Sequence, residues 1–97
     1  MPKLVIKTDD GEHSVTMGNE PVTIGRSPAN TIHISDPASS RKHCMIKPSG
    51  GFTVIVDMGS ANGTRVNGTK IVRDHVLQGG DVIQIGTTTL RFTEDDS

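Results

Sequence analysis

Residues branched at Cβ dominate this chain: 9 Val, 9 Ile and 11 Thr stand against 3 Leu and 3 Ala among 97 residues. A second substituent on Cβ stiffens χ1 and crowds a helical turn, but packs well on a pleated surface. The balance therefore favours strands. No helix-period segment of useful length interrupts it. Short apolar runs alternate with turn signals, giving candidate strands at 3–7, 14–17, 22–25, 31–34, 43–47, 52–57, 64–66, 70–71, 82–85 and 88–92. Strands at intervals of roughly 8–12 residues, separated by turn residues, read as an all-β sandwich or barrel. Alternation assigns Val22/Ile24, Ile32/Ile34, Phe52/Val54/Val56, Ile83/Ile85 and Leu90/Phe92 to inward faces. Asn67-Gly68 between Val66 and Ile71 signals a tight hairpin, because a type I′ turn needs positive φ at both central residues. The stretch 28–43 is the least strand-like.

The length suits one domain over 1–97, with a core at about 4–92 and an acidic tail or linker start at 93–97. No apolar run approaches the ~18 residues of a membrane span, and the start has no long apolar segment of a secretory signal. The lone Cys44 cannot form an internal disulfide, which fits a reducing, cytoplasmic setting. Lys and Arg number 10 against 11 Asp and Glu, a net charge of -1 that speaks against broad nucleic-acid binding. Trp and Tyr are absent. Phe52 and Phe92 sit in strand-like runs, where core packing is expected rather than the stacking of bases or sugars. Met17, Met45 and Met58 are expected to fill core gaps.

Catalytic and metal chemistry finds no foothold. Residues 63–70 have two glycines at P-loop spacing, but Thr69 and Lys70 are in the wrong order and lie in a hairpin. Residues 59–63 place Ser60 one position off for a nucleophile elbow, with no helix to follow. His13, His33, His43 and His75 have no metal-ligand spacing, so neither metal nor cofactor is expected. The acidic pairs Asp9-Asp10 and Asp95-Asp96 read as solvated turn and terminus, and the two Asn-Gly-Thr triplets read as turns.

Three loops carry unusual residues: Gly25-Arg26-Ser27 after an apolar strand, Ser39-Ser40-Arg41-Lys42-His43 before another, and Asp57 through Gly68. Arg forks, Ser hydroxyls and glycine N–H groups are the donors that grip a phosphate dianion, and a sandwich gathers its loops at two ends. Lys70 and Arg73 read as solubilising a face.

The ordered set Gly25-Arg26, Ser40-Arg41-Lys42-His43, Ser60-Ala61-Asn62-Gly63-Thr64 and Val66-Asn67-Gly68, closed by Gly80-Asp81 and Ile85-Gly86, resembles the forkhead-associated (FHA) family. That resemblance implies a two-sheet β-sandwich of about eleven strands with its ligand loops at one end. It implies binding of a threonine-phosphorylated partner protein, without catalysis. By the same resemblance, Arg26, Ser40 and Arg41 hold phosphate, and Asn62 holds the neighbouring peptide main chain. Arg65 and Ala61 rim the groove, while His43, Gly25, Gly63, Asn67 and Gly68 are structural. Ala61 departs from the Thr or Ser that many members carry, which removes one hydroxyl. The rival reading is a phosphate-independent scaffold or oligomerisation domain that packs through a sheet face.

Overall fold

The computed structural model describes residues 2–8 and 11–94, so the acidic pair Asp9-Asp10 and the end of the tail lie outside it. Eleven strands follow in order: β1 Lys3–Thr8, β2 Gly11–Thr16, β3 Val22–Gly25, β4 Ile32–His33, β5 Cys44–Ser49, β6 Phe52–Asp57, β7 Arg65–Val66, β8 Thr69–Lys70, β9 His75–Leu77, β10 Val82–Ile85 and β11 Thr88–Thr93. They form a six-stranded sheet, β2-β1-β11-β10-β7-β8, and a five-stranded sheet, β4-β3-β5-β6-β9. No helix occurs among the described residues, and none is long and apolar enough to cross a membrane.

The two inner faces meet in one apolar core. Leu4, Ile83, Leu90 and Phe92 from one sheet face Ile24, Ile46 and Ile55 from the other, all fully buried. Each such side chain contributes about 1.5–3 kcal/mol of burial. Asn67 (φ 53°) and Gly68 (φ 85°) close the β7–β8 hairpin, as the Asn-Gly signal requires.

Two expectations fail, and one strand had none. Phe52, Val54 and Val56 do not face the core; Ile55 does, paired with Ile46. Val56 pairs with Met45 and Val54 with Val76 on the outer face of the five-stranded sheet, and Phe52 is 65% exposed. Apolar residues stand on both faces of β6, so alternation alone could not choose the inner one. Met58 is exposed and Met45 half-buried outside the core, leaving only Met17 as a core methionine of the three. Strand β9 carried no readable signal: it is three residues long and holds its place by pairing with β6.

Candidate functional site

The loops that follow β3, β4 and β6 are bolted to one another by hydrogen bonds. At the end of β3 the chain passes close to Arg41: the Arg26 amide donates to the Ser40 carbonyl at 2.9 Å, and Ser27 donates to the Arg41 carbonyl at 3.2 Å. Only glycine fits at position 25. A methyl there would press on the Arg41 carbonyl oxygen and stand 2.8 Å from its carbon and 2.9 Å from Asn30 Nδ2. Asn30 itself donates to the carbonyls of Ser27 at 2.8 Å and Arg41 at 2.6 Å, tightening the same junction.

His43 joins the second loop to the third. It is fully buried; its Nδ1 accepts from the Ser40 amide at 3.0 Å, and its Nε2 lies 2.8 Å from the Gly63 carbonyl. Accepting at Nδ1 and donating at Nε2 is the work of the neutral ring with its proton on Nε2. Both nitrogens are consumed within the fold, which leaves neither for a ligand.

The third loop is braced from beneath by Asp57. Its carboxylate accepts from the Gly59 and Ser60 amides, each at 3.1 Å, from the Ser60 hydroxyl, and from the buried Thr64 hydroxyl at 2.8 Å. Ser60 Oγ in turn accepts from the Gly63 amide at 3.0 Å. Gly63 has φ +83°, so a side chain there would be strained, and the Lys70 side chain lies directly against it. On the far side of the second loop, buried Asp36 accepts from the Ala38 amide, the Thr87 amide and hydroxyl, and the Thr88 hydroxyl at 2.8–3.1 Å. These bonds tie the loop to the β10–β11 turn of the opposite sheet.

The ligand candidates fall around this frame. Arg26 and Arg41, both exposed, line one open cleft of about 380 Å³ with Ser27 and Pro28. Ser40 Oγ accepts the Ala61 amide at 3.0 Å, which leaves its hydroxyl proton free to donate elsewhere. Ala61 thus takes part through its backbone. Asn62, also exposed, donates from Nδ2 to the Ala38 carbonyl at 2.7 Å, which holds its amide upright and leaves Oδ1 and one N–H open. Arg65 turns back toward the Gly68 carbonyl at 3.4 Å on the outer face of the six-stranded sheet. Asn67 hydrogen-bonds Asp81 and the Val82 amide, both at 3.0 Å.

The sequence of FHA domains matches this chain over residues 22–86, the span that holds all three loops. The chain belongs to the FHA domain family. It is 39% identical over 90 residues to the glycogen accumulation regulator GarA of Mycolicibacterium smegmatis, covering 92% of this chain and 56% of that protein. Against FhaB of the same organism identity is 33%, covering 80% and 50%. The chain thus spans about half the length of the curated relatives it matches. Among solved structures it superposes on the Mycobacterium tuberculosis protein EmbR in complex with a low-affinity phosphopeptide, with a TM-score of 0.87, 25% identity, and coverage of 98% of this chain and 25% of that one.

Reading residues alone left Asp57, Thr64, Asn30 and Asp36 of this FHA domain without roles. Asp57 had a local signal, an acid followed by Gly and Ser at the spacing of an Asx turn. Asp36 had a similar local signal toward Ala38, but its Thr87 and Thr88 partners lie 51 and 52 residues away and left none.

Both bracing carboxyls titrate below the ordinary 3.8. Burial pushes each upward, but hydrogen bonds outweigh it: from Ala38, Thr87 and Thr88 at Asp36, and from Ser60 and Thr64 at Asp57. A carboxyl with a lowered folded pKa stabilises the fold above its unfolded value and loses that contribution as pH falls through the folded one. The melting temperature is therefore expected to hold between about pH 7 and 5 and to fall below about pH 4. The Asp36→Asn/Asp57→Asn double variant should melt lower at neutral pH and show a shallower acid limb. A melting temperature equal at pH 5 and pH 3 would contradict this. The neighbouring Cys44 thiol is pushed up to about 12, by burial first and then by Asp57, so it stays protonated and unreactive.

Proposed function

We propose that this FHA domain, acting over the whole chain as one domain, is a binding module for a phosphothreonine in a partner protein. Arg26, Ser40 and Arg41 receive the phosphate dianion, and Asn62 holds the adjoining main chain. The observation that carries this reading is the cleft shared by Arg26 and Arg41, two exposed guanidinium groups from separate loops whose backbones are locked together by the Arg26–Ser40 and Ser27–Arg41 hydrogen bonds. Forked donors on a rigid frame suit a phosphate, which offers three strong acceptor oxygens. Each charge-assisted bond contributes about 1.5–3 kcal/mol, so two or three, less the ordering cost, correspond to a dissociation constant on the order of micromolar.

Calorimetric titration with a phosphothreonine peptide pool and its unphosphorylated twin tests the reading. Binding is expected only with phosphate, weaker at high salt, and weaker below about pH 6, where the phosphate loses its second charge. Equal binding of both pools would exclude it. A second reading rests on the outer face of the five-stranded sheet, where Phe52, Val76 and Met45 leave apolar surface uncovered. That face favours a phosphate-independent scaffold, whose binding would survive loss of Arg26 and fail on replacing Phe52 with a polar residue.

A further inference from the structure

The six-stranded sheet carries an uncompensated pair of cations at the corner that adjoins the ligand loops. Arg65 and Lys70 are direct cross-strand partners in the β7–β8 hairpin, so their side chains leave the same face of the sheet, and both are exposed. Like charges placed directly opposite one another destabilise a strand pair. Among the described residues no acid pairs with either; Arg65 reaches only the Gly68 carbonyl. The row continues through Gln84 and Thr89 to Lys7, and the acid in it, Glu12, stands at the opposite edge of the sheet.

The second observation is the course of Lys70. Its aliphatic stem lies across Gly63, with Cδ and Cγ at 3.0 and 3.2 Å from where a Cβ would stand. The ammonium, one bond beyond Cε, is therefore carried beside the Asn62-Gly63 turn. A solubilising lysine has no reason to fold back over the loop that presents Asn62. The basic corner is continuous with the groove edge, and it offers positive charge that no acid among the described residues neutralises.

We propose that Lys70, together with Arg65, reads acidic residues flanking the phosphothreonine, so that the partner segment this domain prefers is a phosphothreonine in an acidic context. This rests on the phosphopeptide reading above. It goes beyond it by naming the chemistry of the flanking sequence and the residues that select it. An Asp or Glu lying over Gly63 would meet Lys70 first and Arg65 next. It would relieve the repulsion between them as well as add its own attraction.

The test compares phosphothreonine peptides that differ only in flanking charge: neutral on both sides, acidic before the phosphothreonine, and acidic after it. The wild-type domain is expected to bind one acidic peptide about three- to tenfold tighter than the neutral one, the range that one or two exposed ion pairs supply. In the Lys70→Gln/Arg65→Gln variant that ratio should fall to near one. Arg91→Gln removes the same sign of charge from the same sheet face, one row away from the corner, and should keep the preference. Lys70→Glu should invert it, so that the neutral peptide binds tighter than either acidic one. If the neutral peptide binds and neither acidic one binds tighter, the proposal is overturned while phosphothreonine binding stands. If the preference survives in the double variant, or falls as far with Arg91→Gln, the corner is not its source and the proposal is overturned. If no phosphopeptide binds the folded domain, the underlying reading fails and the proposal with it.

Discussion

Arg26→Ala is expected to weaken phosphothreonine-peptide binding by about 100-fold or more while leaving the fold intact. The side chain is exposed and belongs to no hydrogen bond among the described residues, whereas its amide, which alanine retains, makes the bond to Ser40. Surface substitutions of that kind change stability by about 0.5 kcal/mol or less. Binding loses a forked guanidinium worth about two charge-assisted bonds of 1.5–3 kcal/mol each. Arg26→Lys should recover only part of the loss, because an ammonium is a point charge without the planar fork. Calorimetry on the wild type and both variants, with thermal melts beside them, separates the effects. A variant that melts normally and binds as tightly as the wild type would remove Arg26 from the site.

Gly25→Ala should have the converse signature, a large loss of stability. Its φ lies outside the left-handed region, so the requirement for glycine at this position is one of space. The new methyl would force apart the end of β3 and the Arg41 backbone. Two backbone hydrogen bonds and the Asn30 donation to the Arg41 carbonyl cross that junction. Overpacking costs about 1–3 kcal/mol and each strained bond adds to it, so a total of about 3 kcal/mol is expected. For a domain of this size that lowers the melting temperature by about 12–20 °C. Phosphopeptide affinity should fall as well, since Arg26 and Arg41 take their relative position from this contact. A melt within about 2 °C of the wild type would show that the loops are more yielding than the packing implies.

Much of the fold was legible because strand chemistry is local. The bounds of β3, β6 and β10 coincide with the apolar runs that announced them, and Asn67-Gly68 closes its hairpin as its backbone preferences require. Legibility failed where information is not local. Apolar side chains on both faces of β6 hid which one packs against Ile46. β9 exists only because β6 offers an edge. The candidate site divides in the same way. The residue types of its three loops could be read one by one, and so could their order. Their meeting depends on His43 bridging Ser40 to Gly63, and on Asp36 gripping a turn 51 residues away. Neither contact leaves a spacing in the chain. Lys70 read as an ordinary surface lysine until the hairpin folded it over Gly63.

On this reading the loops following β3, β4 and β6 together receive a phosphothreonine. Amide chemical-shift mapping of the wild-type domain with a phosphothreonine peptide and its unphosphorylated twin tests it most directly. Large shifts are expected at Arg26, Ser40, Arg41, Ala61 and Asn62 with the phosphorylated peptide, and none with the twin. Shifts centred on Val54, Val56 and Val76 at the outer sheet face, or shifts indifferent to phosphate, would contradict it.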